Sequence, residues 1–159
     1  IQIAKALGAR VITTVGSDEK EVKAKKLGAD HVINYRKNDF SKQVRLLTQE
    51  QGADIVLEHT GAETFTKSLA SLAKKGRLVT CGVTSGGQVQ IDLRFLFVRQ
   101  HSIIGCYMGG RKELEEAVGL LEKGRVKPVV DQVFPLKEAR QAQARMLERK
   151  NFGKIVLKI

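Results

Sequence analysis

The sequence predicts an α/β fold in which helices cover both faces of a parallel β-sheet. Short runs of β-branched residues alternate with amphipathic helical stretches, and the connections between them are short. A glycine commonly ends a helix in the left-handed conformation, so glycines that follow the predicted helices support the same division. They are Gly8, Gly28, Gly52, Gly76 and Gly124.

The strands are predicted from runs rich in valine, isoleucine and threonine. Turn residues flank each run on both sides. In chain order they cover Arg10–Val15, His31–Asn34, Asp54–Glu58, Arg77–Cys81, Ser102–Met108, Pro128–Phe134 and Gly153–Ile159. The glycine-rich stretch 82–87 is predicted to be an open loop.

The helices are predicted from capping residues and apolar spacing. Ser17 and Asp39 are typical N-caps, because their side-chain oxygens accept from the first free backbone N–H groups. The apolar stripe from Ala62 to Leu72 predicts a further helix, which Gly76 closes. The other helical stretches are Asp18–Leu27, 40–51, Asp92–Arg99, 114–123 and Leu136–Arg149.

The chain begins at Ile1 inside the tail of a helix, with no cap, first turn or strand before it. The run Val11–Val15 and the turn Gly16–Lys20 match the second strand of a doubly wound, Rossmann-like dinucleotide-binding fold and its cofactor-selecting turn. We therefore expect the first strand and its glycine-rich phosphate loop to lie upstream of Ile1. That strand would be central in the sheet, so we expect this segment alone to fold poorly or associate.

The composition is that of an ordinary soluble domain, with 42% hydrophobic and 28% charged residues. No apolar run approaches the roughly 18 residues of a membrane span, so no membrane partner is expected. Cys81 and Cys106 are too few and too far apart for a disulfide framework or a zinc knuckle. Reduced thiols in a cytoplasmic protein are therefore the expectation.

The chain is strongly basic, with a net charge of +11 and a pI near 9.9. Such a field attracts polyanions, which include nucleic acids and phosphorylated cofactors. The basic residues are scattered over many predicted helix faces, and only 5% of the residues are aromatic. No stripe of basic and aromatic residues that could stack bases is present, which disfavours specific nucleic-acid binding.

The first candidate site residues surround the cofactor-selecting turn. An NAD-preferring fold usually has Asp or Glu at the end of the second strand, whereas this chain has Val15 there. Ser17 at a helix start, Lys20 one turn later and Tyr35 after the next strand suit a phosphate dianion, which favours NADP over NAD. In the alternative interpretation Ser17 is only an N-cap, Lys20 is solvated and Tyr35 is a surface aromatic residue.

Two later loops are predicted to approach the same cofactor. In the first, Thr60 can contact a ribose and Gly61 allows close backbone approach. In the second, Cys81, Gly82 and Val83 would meet the nicotinamide end through their backbone groups. No nucleophile with a paired base and no set of metal ligands is evident, so no catalytic or metal-binding residue is assigned.

The stretch Ile104–Gly110 mixes β-forming residues with glycines, as an edge strand passing into a loop does. An uncovered edge invites pairing with another chain. An ordinary edge strand in a monomer is an equally good interpretation of the residues alone.

Several stretches, taken in order, resemble the medium-chain dehydrogenase/reductase superfamily, in its branch of zinc-containing alcohol dehydrogenases and quinone oxidoreductases. They are IQIAKALGARVITTVGSDEKEVKAKKLGADHVINY, GADIVLEHTG, LAKKGRLVTCGVTSG and FGKIVLKI. No single motif is diagnostic, but the ordered set covers nearly the whole chain.

The resemblance implies a two-domain NAD(P)-dependent oxidoreductase that transfers a hydride between the nicotinamide and an alcohol, carbonyl, enone or quinone. It implies a dinucleotide-binding domain at residues 1–125 and a return segment at 126–159, which joins a catalytic domain outside this chain. The fragment alone would then be inactive. The family's zinc ligands have no match here, so zinc in an intact protein is left open.

The resemblance also implies roles for particular residues. Ser17, Lys20 and Tyr35 match the Ser, Lys and Tyr that surround the 2′-phosphate in quinone-reductase-like members. Homodimerisation would use the strand near Ser102–Tyr107.

Two other function classes stay open at this point. A non-catalytic nucleotide-binding or interaction module fits a chain without a visible catalytic group. A basic nucleic-acid-binding protein fits the net charge but not the residue pattern.

Overall fold

A computed structural model describes residues 1–159. Its helices are α1 Gln2–Ala6, α2 Asp18–Lys26, α3 Phe40–Leu47, α4 Phe65–Ala70, α5 Leu93–Arg99, α6 Arg111–Glu122 and α7 Ala139–Leu147. A 3₁₀ turn at Leu136–Glu138 directly precedes α7. Its strands are β1 Ile12–Val15, β2 His31–Asn34, β3 Ala53–Glu58, β4 Leu72–Thr80, β5 Ser102–Gly105, β6 Val130–Pro135 and β7 Lys154–Lys158. None of the helices combines the length and the apolar character needed to cross a bilayer.

The strands of the β3–β4–β5 and β6–β7 sheets pair in parallel, as predicted for an α/β fold. β4 lies between β3 and β5, and Leu78 stands opposite both Val56 and Ile103. β6 pairs with β7 in parallel, and β1 pairs with β2. The parallel α/β architecture is confirmed, and the strands form three separate sets.

The chain divides into two compact units. The terminal unit comprises residues 1–13, 17–32 and 112–159, and the central unit comprises residues 14–16 and 33–111. The central unit holds α3, α4, α5 and the three-stranded sheet, whereas the terminal unit holds α1, α2, α7, most of α6 and the pair β6–β7. The division near residue 125 stays a prediction.

The core of the central unit joins one helix to one strand. Phe65 and Leu69 of α4 pack with Leu72 and Leu78 of β4, and both of these leucines are fully buried. Each fully buried leucine contributes about 2 kcal/mol relative to an exposed one. Partly buried residues pack around this cluster, namely Val56, Val89, Ile91 and Leu96.

The predicted helix from Ala62 to Leu72 is wrong at its C-terminal end. The helix α4 stops at Ala70, and both Leu72 and Gly76 lie in β4. The Ala53 N–H donates to the Ser71 carbonyl at 2.8 Å, which draws the chain into the sheet directly after the helix. Leu72 still faces the core, so the apolar spacing indicated its burial but not the element that carries it.

Several other elements are shorter than predicted, β5 and α7 among them. β5 ends at Gly105, and the left-handed backbone at Met108, with φ of 54°, is incompatible with a continued strand. The predicted helix Leu136–Arg149 opens with the 3₁₀ turn and ends at Leu147. Arg149 also has a left-handed backbone, with φ of 53°. Local backbone conformation therefore cuts both elements short.

Polar contacts between distant parts of the sequence join the terminal unit. The Gln2 amide exchanges two hydrogen bonds of 2.9 Å with the Lys127 backbone. Asp131 accepts from the Arg145 guanidinium at 2.6 Å and from the Phe152 N–H at 3.0 Å. These bonds hold the residues after α6 against α1 and hold α7 against β6.

The helix α3 begins at the predicted cap, Asp39. Its carboxylate accepts from the backbone N–H groups of Ser41 at 3.0 Å and Lys42 at 3.3 Å. The Lys67 ammonium lies 3.0 Å from the other carboxylate oxygen. Hydrogen bonds from the Ser41 hydroxyl and from Lys67 hold the pKa of Asp39 well below its usual range.

We expect Asp39→Ala to lower the free energy of unfolding by about 1 kcal/mol at pH 7, because two backbone donors lose their acceptor. Because folding lowers the pKa of Asp39, the contribution of the carboxylate is present above pH 4 and is lost as the pH falls. Urea unfolding at pH 7 and at about pH 3 measures both effects. Asp39→Asn keeps a capping oxygen and should cost less, and an equal loss for both variants would contradict the capping role.

Candidate functional site

The loops that follow β3 and β4 lie together in the central unit. The Ser85 N–H donates to the Thr60 carbonyl at 2.7 Å, and the Ser85 hydroxyl donates to the same carbonyl at 2.8 Å. The Thr84 N–H reaches the His59 carbonyl at 3.4 Å. The two loops predicted to approach a cofactor therefore form one continuous surface at the carboxyl ends of neighbouring parallel strands, where α/β folds bind their ligands.

Two glycines keep side chains out of this surface. Gly61 has φ of +93°, and a Cβ there would collide with the Gly86 carbonyl. A Cβ at Gly82 would lie 3.1 Å from the His59 carbonyl. Both predicted glycines thus occupy positions where a larger residue would push the loops apart. Val83, which follows Gly82, is 57% exposed and presents an apolar side chain beside this backbone.

A buried carboxylate holds the first loop in place. Glu58, at the end of β3, is only 4% exposed. Its carboxylate accepts from the backbone N–H groups of Thr60 at 2.7 Å and Gly61 at 3.1 Å. The hydroxyls of Thr64, at 2.9 Å, and Ser68 also donate to it. The sequence did not single out Glu58, although a carboxylate that ends a buried strand is an unusual residue to bury.

The hydrogen bonds to Glu58 decide its ionisation. Burial alone would raise the pKa of the carboxyl, but the donors from Ser68, Thr60, Gly61 and Thr64 outweigh burial and lower it. The carboxylate is therefore a fixed, ionised acceptor at neutral pH. Its role is to hold the Thr60–Gly61 turn, which positions backbone rather than performing acid–base chemistry.

The cofactor-selecting turn contains a second close approach. The Tyr35 N–H donates to the Val15 carbonyl at 3.1 Å, so the end of β2 is tied to the end of β1. A Cβ on Gly16 would lie 2.9 Å from the Tyr35 hydroxyl oxygen and 3.6 Å from Arg36 Nε. Tyr35 and Arg36 thus lie over Gly16, and no side chain fills that position. Arg36 was not predicted as a site residue, although its place directly after Tyr35 at a strand end was the available signal.

Ser17 and Lys20 belong to the terminal unit, whereas Tyr35 belongs to the central unit. Ser17 is the N-cap of α2 and accepts from the Lys20 N–H at 3.4 Å. The Lys20 ammonium donates to the Arg149 carbonyl at 2.6 Å. Ser17 therefore has the capping function that the alternative interpretation assigned to it, and Lys20 is hydrogen-bonded rather than freely solvated.

The residues of this chain do not fit a zinc site. Nowhere in residues 1–159 do three or more His, Cys, Asp or Glu side chains come together as metal ligands. Cys81 and Cys106 are both free and exposed. No step through a metal is therefore derived from these residues.

Comparison with known proteins agrees with this geometry. A family described as zinc-binding dehydrogenase matches residues 1–123. The chain belongs to this family. The predicted membership of the branch that contains zinc-type alcohol dehydrogenases and quinone oxidoreductases is confirmed.

Similar proteins include oxidoreductases of several kinds. Quinone oxidoreductase 1 of Escherichia coli is 34% identical over 98% of this chain and 51% of its own length. A 2-haloacrylate reductase of a Burkholderia species is 37% identical over 97% of this chain and 49% of its own length. The chain spans about half the length of the curated relatives it matches.

Solved structures share the fold of this zinc-binding dehydrogenase chain. The crystal structure of an NAD-dependent alcohol dehydrogenase superimposes with a TM-score of 0.93 at 43% identity. The match covers 99% of this chain and 46% of that one. The Rossmann-like character of the predicted fold is thereby confirmed.

We expect Glu58→Gln to lower the free energy of unfolding by about 2 kcal/mol at pH 7. The variant replaces one accepting carboxylate oxygen with an NH₂ group, which would face the N–H and O–H donors around it. Folding lowers the pKa of Glu58, so its contribution is present above the unfolded pKa of about 4.3 and is lost as the pH falls. Chemical unfolding at pH 7 and at about pH 3.5 should show the difference from wild type shrinking in acid. Glu63→Gln, an exposed change in the same loop, is the control, and an equal loss there would contradict the role of Glu58.

Proposed function

We propose that this chain is the dinucleotide-binding part of an NAD(P)-dependent oxidoreductase, in keeping with its family. The observation that carries the proposal is the paired loop surface at the ends of β3 and β4. Gly61 and Gly82 leave its backbone open, and Glu58 holds it rigid. The bound nicotinamide would supply the hydride chemistry. Thr60 would contact a ribose, and the exposed Val83 would pack beside the nicotinamide together with the backbone of Cys81 and Gly82.

The intact protein would act on a small-molecule alcohol, carbonyl, enone or quinone. This range follows the similar proteins, which are named as quinone oxidoreductases, a 2-haloacrylate reductase and alcohol dehydrogenases. A cytoplasmic location stays a proposal that rests on the two free thiols of Cys81 and Cys106.

We further propose a preference for NADP over NAD. β1 ends in Val15, where an NAD-preferring fold usually has Asp or Glu, so the strand end lacks the carboxylate that would repel a 2′-phosphate. The Tyr35 hydroxyl and the Arg36 guanidinium lie over Gly16, and both can donate to phosphate oxygens. The similar alcohol dehydrogenase is described as NAD-dependent, so the preference must be measured on this protein. Ser17 and Lys20 stay predictions of the sequence for the same phosphate.

We expect Arg36→Gln and Lys20→Ala each to weaken NADPH binding about tenfold while hardly changing NADH binding, because each removes one charged donor to the 2′-phosphate. Fluorescence titration of the protein that contains this chain, with both cofactors, measures the effect. Lys26→Gln, an exposed change on α2, should leave both affinities unchanged. Equal losses for NADPH and NADH would refute the 2′-phosphate role.

We also propose that the protein is a homodimer through β5. This strand is an edge of the three-stranded sheet, and its Ile103 and Ile104 are partly exposed. Tyr107 is 92% exposed and Met108 is 80% exposed in the segment that follows. Unpaired strand edges with apolar side chains favour pairing with a second copy.

We expect the double variant Ile104→Lys/Tyr107→Glu to convert the dimer to a monomer, because it places charges on the edge that would pair. Sedimentation equilibrium of the protein that contains this chain measures the mass. Leu46→Lys on α3, another exposed apolar position, is the matched control and should stay dimeric. A wild-type protein that is monomeric at micromolar concentration would rule the dimer out.

A further inference from the structure

A cavity of about 730 Å³ lies in the central unit, between α3, α4 and α5. This volume falls in the range of small-molecule sites, roughly 300 to 1,000 Å³. None of its lining residues belongs to the loops at 59–61 or 81–87. The residue His101, which lines it, stands directly before the first residue of β5, whereas the candidate cofactor loops follow the strands. The cavity is therefore distinct from the candidate cofactor surface.

The helix α5 turns one particular side toward this cavity. Phe95 and Arg99, which are four residues apart and share a face, line it. Leu96 packs on the core, and the exposed Leu93 and Phe97 do not line the cavity. The cavity side of α5 thus differs from the side that carries these two exposed residues.

Positive charge dominates the polar part of the lining. Lys42, Arg45 and Arg99 all line the cavity. The only lining carboxylate, Asp92, is paired with Arg94 at 2.6 Å. No acidic side chain pairs with Lys42 or Arg99.

Arg45 is held rigidly at the cavity wall. Its guanidinium donates to the carbonyls of Ala70 at 3.0 Å, Leu72 at 3.1 Å and Glu50 at 2.8 Å. Because these acceptors are neutral, the positive charge of Arg45 remains uncompensated. Arg45 therefore contributes a fixed positive electrostatic field, whereas the side-chain donors of Lys42 and Arg99 are available to bond a ligand.

A half-buried imidazole, that of His101, lies in the cavity lining. Its ring atoms Nδ1 and Nε2 are buried and make no hydrogen bond of ordinary geometry. Burial lowers the pKa of His101, a contact with the Ala73 backbone opposes this in part, and the charges of Arg99 and Arg45 lower the pKa further. Buried polar atoms of native proteins are almost always well paired, so imperfectly bonded ring nitrogens at a cavity wall can take a polar ligand or water.

Three large apolar side chains also line the cavity, beside the neutral polar residues Ser41, Thr66 and Gln90. Leu69 of α4 is buried, Ile91 is half-buried, and Phe95 is 52% exposed. A wall of this kind can bury a hydrocarbon or an aromatic ring, at about 25 cal/mol for each Å² removed from water. Apolar surface beside free cationic donors is the combination that binds amphipathic anions.

We propose that this cavity binds a small organic anion, a carboxylate with an aliphatic or aromatic body. The carboxylate would accept from Lys42 and Arg99, and the body would pack on Leu69, Ile91 and Phe95. The proposal does not depend on the cofactor or substrate of the protein, because none of these residues has been assigned to the cofactor surface.

Calorimetric titration of the protein that contains this chain with decanoate tests the proposal. Wild type should bind decanoate, and Lys42→Gln/Arg99→Gln should bind it about tenfold more weakly, because charge-assisted hydrogen bonds are lost. Lys26→Gln/Arg140→Gln removes two exposed charges elsewhere and should bind like wild type. Decanol, which has the same chain without the charge, should bind more weakly than decanoate.

Two further measurements separate the cavity from other binding surfaces. Decanoate should shift the ring ¹⁵N resonances of His101, and saturating NADPH should leave the decanoate affinity unchanged. Thr66→Trp, which places a large ring in the cavity from α4, should abolish decanoate binding while NADPH binding persists. Absence of binding to wild type, an equal loss in the control variant, or displacement by NADPH would overturn the proposal.

Discussion

The buried carboxylate of Glu58 is the interaction on which the central unit depends. An ionised group at 4% exposure is tolerated only when its oxygens are hydrogen-bonded, and here two backbone amides and two hydroxyls donate to them. The amides belong to the loop after β3, and the hydroxyls belong to the start and body of α4. One side chain therefore fixes the loop, the strand end and the helix relative to each other.

The helix α4 connects this network to two other features. Thr64 and Ser68, four residues apart, point to Glu58, whereas Phe65 and Leu69 pack in the core. Thr66, Leu69 and Ala70 line the cavity beside α3 and α5. Because α4 contributes to the Glu58 network, the core and the cavity, a change in its position would alter the loop surface and the cavity together.

Local sequence signals were reliable where the deciding interaction spans only a few residues. Ser17 and Asp39 cap their helices as predicted, since each bonds amides two or three positions away. The strand His31–Asn34 has the predicted bounds. The close approach of the loops after β3 and β4 was also predicted, because glycines at strand ends in a parallel fold meet at one edge of the sheet.

The sequence by itself determined the order of elements, the parallel α/β class, the helix caps and the glycine-lined loops. Only the tertiary structure decided that Leu72 leaves its helix for β4, that Lys20 bonds the Arg149 carbonyl and that Arg36 lies over Gly16. It also decided that the ring nitrogens of His101 are buried beside a cationic cavity. Periodicity and capping depend on neighbours within a turn or two of the chain. Sheet pairing, burial of polar groups and cavity shape depend on residues brought together from distant positions, and no local pattern encodes those partners.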